Sequence, residues 1–472
     1  MSLLQFLRHT RQVHLQFLSG VRTESPIYVV GNPSADLDSI VSAIVYSYCA
    51  DNRLPTTTPR PHVPVLNLPN VPAGPELFRL RPEFVTALWL STNCPPTRSD
   101  ECFENTSDSA GTLLREHLVT VADFAQGLKD RKGSSKLVAD ATMVDWNAMP
   151  YRADSEPGQG SLSGLSDVAF RTLGCIDHHV DEHFVPRADA LPADQPLIVK
   201  PGPGSCASLI TNELERRGLW KRDAASTADI AQVAKLALSA VLIDTSNLTA
   251  EGKVTETDVH AVDFLRRQIE SRSPDTATPS PGSTGDLTAF YEQILNTKQN
   301  SLDLLTLDEV LGRDFKDWTE TARSSGESIK LGFCSSVKPM QWIVQKAGGP
   351  QSFLDAVHSF AAAEDKQLDV VIVMTAFTSA AEAPFCRELF VCATRKAGSA
   401  IAGAEAFVAQ AASQLGLVDW TPLDGAVERT DPDLHSTLNG NSPVWRRLWV
   451  QTNVSASRKQ VAPLLRTAMA KL

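Results

Sequence analysis

The stretch Gly31-Asn32-Pro33-Ser34-Ala35-Asp36-Leu37-Asp38-Ser39 lies between a strand-like apolar run, Ile27 to Val30, and a helix-like apolar run, Ile40 to Tyr48. Two carboxylates, Asp36 and Asp38, therefore fall on a turn between the C-terminal end of a strand and the N-terminus of a helix. Open α/β sheets bind their ligands there. Alternate carboxylates on such a turn can face one divalent cation or two adjacent ones. The same residues also suit a helix cap: Ser34 or Asp36 at the N-cap, with Asp38 favoured by the helix dipole. The rest of the chain decides between the two.

A chain of 472 residues has the size of two or three domains. The formal net charge is −11, which excludes a typical nucleic-acid or membrane-surface binder. The charge is uneven: no Asp or Glu follows Asp433, whereas Arg446, Arg447, Arg458, Lys459, Arg466 and Lys471 do. Such a basic end is either an anion site or a solvated face. The eight cysteines form no Cys-x-x-Cys pair and lie mostly in apolar runs. They read as reduced thiols of a cytoplasmic protein, not as a zinc or disulfide framework. No apolar run is long enough to span a membrane. Leu4, Leu7, Leu15 and Leu18 keep helical spacing and predict an amphipathic opening helix.

Along the chain, Asn105 to Gly111 is small and polar, a predicted loop, and Leu113 to Leu128 has helical periodicity. Two further apolar runs end in ionisable groups. Lys136 to Val144 leads into Asp145-Trp146-Asn147, and Thr172 to Ile176 leads into Asp177-His178-His179. The small-residue turn Gly202-Pro203-Gly204-Ser205 precedes a helix from Cys206, and a long apolar helix from Ala228 delivers Asp244. Residues 271–286 are rich in Ser, Pro, Thr and Gly, a linker by composition. The predicted division is a first domain over 1–270, the linker, and a second α/β domain over 287–472. The second half reads helix (Leu287 to Leu305), strand (Ile329 to Ser335), helix (Gln341 to Ala362), two strands, helix, strand and a last helix from Arg458.

A parallel sheet gathers its strand C-termini along one edge. The groups Asp36/Asp38, Asp145, Asp177/His178/His179 and Asp244 would meet there. Carboxylates crowded at one edge repel unless cations neutralise them. Two divalent ions with one bridging carboxylate satisfy that count, and mixed O/N ligation suits Mn²⁺, Mg²⁺ or Co²⁺. Two such ions can activate water and clamp an in-line phosphoryl transfer. Each group taken alone is more often a turn former or a buried hydrogen-bonding residue. Their joint occurrence at equivalent strand and helix ends carries the functional reading.

These residues carry a family resemblance. Asn32-Pro33-Ser34-Ala35-Asp36-Leu37-Asp38-Ser39, Val144-Asp145-Trp146-Asn147, Asp177-His178-His179 and Leu242-Ile243-Asp244-Thr245 resemble, in order, the four motifs of the DHH phosphoesterase superfamily. Ser457-Arg458-Lys459-Gln460-Val461-Ala462-Pro463 resembles the closing motif of a DHHA2 second domain. Within that superfamily the chain is most similar to cytosolic fungal exopolyphosphatases. The resemblance implies an N-terminal parallel-sheet DHH domain and a smaller α/β DHHA2 domain with a mixed sheet, the active site lying in the cleft between them. It also implies residue roles. Asp36 would ligate the first metal, with Asn32 standing where pyrophosphatases have a histidine. Asp38, His178 and Asp244 would ligate the second, and Asp145 would bridge both. His179 would face substrate phosphate, oriented by Asp177. Lys316, Arg458 and Lys459 would bind phosphate, although the terminal motif has one basic residue fewer than in pyrophosphatases, leaving its register open between Ser457/Arg458 and Arg458/Lys459.

The sequence thus predicts a monomeric two-metal phosphohydrolase that removes terminal phosphate from inorganic polyphosphate by in-line attack of a metal-held hydroxide. Its partner is the polyphosphate chain, not duplex nucleic acid or a membrane. A pyrophosphatase or nucleotide phosphodiesterase on the same scaffold is the alternative enzyme. Asn32 weighs against the first, and the lack of stacking aromatics near the basic tail weighs against the second. A prune-like interaction protein would have lost metal ligands, and beyond Asn32 none is lost.

Overall fold

The apolar runs of the first half become strands of one sheet: β1 (Ile27–Val30), β2 (His62–Val65), β3 (Leu137–Val144), β4 (Gln159–Gly160), β5 (Val168–Asp177) and β6 (Leu197–Val199). β2, β1, β3 and β5 lie side by side in that order, all parallel. β6 pairs parallel and β4 antiparallel with β5. Val30 lies opposite Met143, and Val144 opposite Ile176. Three adjacent strands therefore end almost level, and Gly31, Asp145 and Asp177 leave the sheet along one edge. Both faces are covered. Val29, Val144 and Ile176 pack under helices Leu37–Ala50, Cys206–Arg216 and Thr227–Asp244, while Tyr28, Val30, Met143 and Cys175 pack with Phe17 and Phe124. Burial on two sides is why these strands read as unbroken apolar runs.

The computed structural model describes residues 1–472 except 54–58, 93–102, 131–136, 152–155, 222–226, 271–286, 304, 379–383, 395–397, 423–430 and 442–443. The chain divides into two units, Met1–Ser301 and Leu302–Leu472. The second unit holds a mixed sheet of β7 (Phe315–Thr321), β8 (Ser328–Ser336), β9 (Val370–Thr378), β10 (Phe385–Ala393), β11 (Leu417–Asp419) and β12 (Arg446–Gln451), in the order β11-β12-β10-β9-β8-β7. Only β8 and β9 run parallel. Helices Gly398–Leu415 and Arg458–Ala470 cover one face; Met340–Ala347 and Pro350–Ala362 cover the other. Among the described residues no helix is long and apolar enough to cross a membrane.

Several local expectations are corrected. Helix Leu287–Asn300 was expected to open the second domain, but it packs with the first unit, its Leu287, Phe290 and Ile294 buried in that unit's core. The expected linker over 271–286 lies outside the described residues, as do Cys94 and Cys102; the six described cysteines are free. Asn105 to Gly111 is not a loop throughout, because Ser107 to Gly111 begin helix Ser107–His117. Its small residues fit a close approach: a Cβ on Gly111 would meet Pro75 at 2.9 Å. The helical run to Leu128 is two helices, since Thr120 starts Val121–Lys129 through a capping box with Asp123. The run Gln341 to Ala362 breaks at Gly348 and Gly349, which have φ of 89° and 128°, followed by Pro350. The opening helix is Leu3–Leu18, but Leu15 is 44% exposed; Leu3, Phe6, Val13 and Phe17 complete the buried stripe.

Candidate functional site

Gly31 begins the first turn because nothing larger fits: a Cβ there would lie 2.0 Å from Ser39 Oγ. That hydroxyl accepts the Asn32 N–H at 2.7 Å, tying the start of the turn to the first turn of helix Leu37–Ala50. Asn67 Nδ2 donates to Gly31 O at 3.0 Å, and buried Arg81 donates to Ser34 O. Asn32 folds back on its own turn. Its Oδ1 accepts from Ser34 N–H at 2.9 Å, from Ser34 Oγ at 2.5 Å and from Ala35 N–H at 3.2 Å. Three donors on one atom identify it as the amide oxygen. Nδ2 therefore points the other way, donating to Asp145 Oδ2 at 2.7 Å. Asn32 was expected in the first metal's ligand set; the structure turns its only ligating atom away and makes it a hydrogen-bond donor to Asp145.

The capping reading of the two aspartates also has a place. Asp36 is the N-cap of its own helix, accepting Ser39 N–H at 3.0 Å. Asp38 instead reaches the N-terminus of helix Cys206–Arg216. It accepts Ser205 Oγ at 2.9 Å, Cys206 N–H at 2.6 Å and Ala207 N–H at 2.9 Å. A buried carboxylate at a helix N-terminus is stabilised by those donors. Even so, burial, followed by the Asp145, Asp244 and Asp36 carboxylates, pushes Asp38 well above the usual carboxylate range. Of the acidic residues expected to converge, Asp36, Asp145 and Asp244 are thus each within electrostatic reach of Asp38.

Asp145 leaves β3 with its N–H still on the ladder, donating to Ile176 O at 3.0 Å, and takes the left-handed conformation at φ 53°. A non-glycine residue there costs about 1 kcal/mol, a strain held by its surroundings. Its Oδ1 lies 3.1 Å from His178 Nε2 and 3.6 Å from His179 Nδ1. His178 Nδ1 lies 3.0 Å from Pro203 O, an acceptor only, so Nδ1 carries the proton. In the neutral ring Nε2 then presents a lone pair to Asp145 and, at 3.9 Å, to Asp38 Oδ2. A lone pair and two carboxylates facing one point repel unless a cation sits among them. Asp145, His178 and His179 can each offer a ligand atom within 4.8 Å of the others. This donor chemistry fits a divalent cation of the O/N-binding kind.

The outer contacts fix these groups. His179 Nδ1 bonds Asp177 Oδ1 at 2.7 Å, and Asn147 Nδ2 donates to Asp177 Oδ2. The turn carrying Pro203 is held by buried Asp258, which accepts Gly204 N–H at 3.0 Å and Thr255 N–H at 2.9 Å. Sequence reasoning missed Asp258, Arg81 and Asn67 and gave Asn147 no role. Asn147 was the discoverable one, two residues after Asp145 within a quoted motif.

In the second unit Lys316 lies half-buried on β7 opposite Phe333. Arg458 begins the last helix and is tied down: it donates to Asp314 O and Oδ1, each at 2.8 Å, and to Ser335 Oγ at 3.2 Å. Lys459 follows on the same first turn.

Residues 292–468 match the DHHA2 domain family. A Schizosaccharomyces pombe protein named "Putative exopolyphosphatase" is 29% identical over 472 residues, covering 98% of this chain and 97% of that protein. A solved structure titled "Crystal structure of Methanococcus jannaschii putative family II inorganic pyrophosphatase" is similar with a TM-score of 0.50 at 16% identity, covering 93% of this chain and 98% of that one. The second likeness is one of fold.

Proposed function

We propose that the chain, whose second half matches the DHHA2 domain family, is a DHH-type phosphoesterase acting as a divalent-metal-dependent exopolyphosphatase, releasing terminal phosphate from inorganic polyphosphate. The observation that carries the proposal is the convergence of His178 Nε2, Asp38 and Asp145 on one point at the sheet's carboxyl edge. The name of the Schizosaccharomyces pombe relative supports polyphosphate as substrate. So does Asn32, whose oxygen is turned from the site where pyrophosphatases are expected to place a histidine ligand.

Asp36, Asp38, Asp145, His178 and Asp244 would hold two cations, Mn²⁺ or Mg²⁺ with Co²⁺ as a further option, Asp145 lying between them. Bound there, such ions lower the pKa of a water and neutralise charge on the phosphoryl oxygens. The chain's own residues supply the alignment. Asn32 holds Asp145 Oδ2, which leaves Oδ1 on the side of His178 and His179. Asp177 holds Nδ1 of His179, turning Nε2 outward from a ring that is 27% exposed, where it can meet a phosphate oxygen. Lys316 and Lys459 would bind phosphate charge, and Arg458 would do so while anchored to Asp314 and Ser335.

Phosphate release by the purified protein, with Mg²⁺ or Mn²⁺, tests the substrate. Long-chain polyphosphate, pyrophosphate and a short oligonucleotide are compared side by side. Release from polyphosphate in preference to the other two is expected. Release chiefly from pyrophosphate or the oligonucleotide would keep the site and overturn the substrate.

A further inference from the structure

Asn147 follows Asp145 by two residues and is buried, and its side chain joins the turn after β3 to the turn after β5. Its Oδ1 accepts the Glu182 N–H at 2.8 Å, a group that can only donate, so the orientation of the amide is fixed. Nδ2 then donates twice, to Val180 O at 3.0 Å and to Asp177 Oδ2. Both amide protons are thereby used. Asp177, fully buried, is left with Oδ1 facing His179 Nδ1 at 2.7 Å.

His179 Nδ1 has a second acceptor in view. Asp145 Oδ1 lies 3.6 Å away, and the same oxygen faces His178 Nε2 at 3.1 Å. The Nδ1 proton can serve only one of the two carboxylates with good geometry. Where it goes decides the chemistry of Asp145. Held on Asp177, it leaves Asp145 Oδ1 to a cation shared with His178. Turned to Asp145, it covers that oxygen, and donor and cation compete for the same lone pairs. The terminal rotation of a carboxylate is broad unless a partner fixes it, and Asn147 supplies that partner on Asp177 Oδ2.

We infer that Asn147 is a positioning residue for the metal site: by clamping Asp177 it keeps His179 off Asp145, so that Asp145 Oδ1 stays open to the cation. The inference rests on the reading of Asp145 as a metal ligand and needs no assumption about the substrate. It also accounts for the division of labour between two adjacent histidines. His178 Nδ1 is held by Pro203 O, with Nε2 toward the cation, whereas His179 Nδ1 is held by Asp177, with Nε2 outward. Asn147 carries no charge, so replacing it by another neutral residue leaves the charges of the sheet edge unaltered, and a change in cation affinity reports geometry.

Calorimetric titration of Mn²⁺ into the full metal-free chain, without substrate, tests this with Asn147→Ala, His179→Phe and the double variant. His179→Phe keeps a ring and removes the competing N–H, so it should bind Mn²⁺ as wild type does. Asn147→Ala should bind roughly tenfold more weakly. In the double variant that loss should disappear, because no imidazole remains to cover Asp145. Asn147→Ser, whose shorter side chain cannot span to both Asp177 and Glu182, should give the same pattern and replaces the alanine variant if thermal melting shows it unfolded. A loss that persists undiminished in the double variant would overturn the proposal, since a purely structural role predicts it. So would wild-type affinity in Asn147→Ala, or a loss in His179→Phe alone, which would make His179 a ligand. A wild type that binds no Mn²⁺ would instead refute the metal site of the parent reading.

Discussion

Replacing Asn32 by Asp is a demanding test of the site because it changes one atom's chemistry and almost nothing else. The three bonds accepted by Asn32 Oδ1 survive in a carboxylate. What changes is Nδ2, now an oxygen 2.7 Å from Asp145 Oδ2. At an effective dielectric of about 20, two unit charges that close repel by about 6 kcal/mol. Protonating an ordinary carboxyl at pH 7 costs only about 4 kcal/mol, so in the metal-free protein the pair shares a proton instead. The folded-state pKa of the new residue is therefore raised above its unfolded value. The cost appears as pH climbs through about 4, grows by about 1.4 kcal/mol per pH unit, and reaches about 4 kcal/mol at pH 7. Urea unfolding of metal-stripped wild type and Asn32→Asp, followed on the first unit's transition between pH 4.5 and 7, reads this directly as a widening gap. Mn²⁺ should then stabilise the variant more than wild type, because the cation takes the proton's place. A gap that is constant with pH, or absent, would refute the assigned contact between Asn32 and Asp145.

Other consequences follow from the same contacts. His14, bonded to Tyr28 at 3.0 Å, is held neutral by burial with its pKa lowered to about 3, so wild type should lose about 1.4 kcal/mol per pH unit below about 6.5 from this group; Arg11 adds to the shift, and His14→Phe should flatten that slope in acid denaturation. Asp258→Ala leaves the N–H groups of Gly204 and Thr255 without their acceptor and should cost about 3 kcal/mol; by loosening Pro203 behind His178 it should also weaken Mn²⁺ binding roughly tenfold by titration calorimetry. In the second unit, Glu388 accepts from Met340 N–H, Thr375 Oγ and Trp420 Nε1, so Glu388→Ala should lower that unit's melting transition, a change of about 3 kcal/mol by calorimetry.

The sheet edge was legible in sequence for a physical reason. A parallel sheet buried on both faces writes its strands as apolar runs, and the first polar residue after each run marks the shared edge. Asp145 and Asp177 were found that way, as was the turn at Gly31. What sequence could not show were the partners across long separations. Asp38 and Cys206 are 168 residues apart, so nothing local indicates that Asp38 caps a second helix. Nor does composition indicate that Asn32 turns its oxygen inward, a choice set by Ser34 and Ala35 acting together. The edge strand Phe315–Thr321 was missed because its residues are half-exposed or exposed throughout, which leaves no continuous apolar run. Nor could sequence show where helix Leu287–Asn300 packs: it carries an apolar stripe whose destination, the first core, depends on tertiary packing alone.

The most direct measurement is phosphate release from long-chain polyphosphate by wild type and Asp145→Asn at saturating Mn²⁺. Asp145 faces Asn32, His178 and His179 at once, and the amide keeps its shape while removing its charge. A loss of roughly a hundredfold or more in kcat is predicted, with a melting transition in the metal-free protein no lower than that of wild type, since the amide relieves repulsion with Asp38. Full activity in Asp145→Asn would contradict the account at its centre.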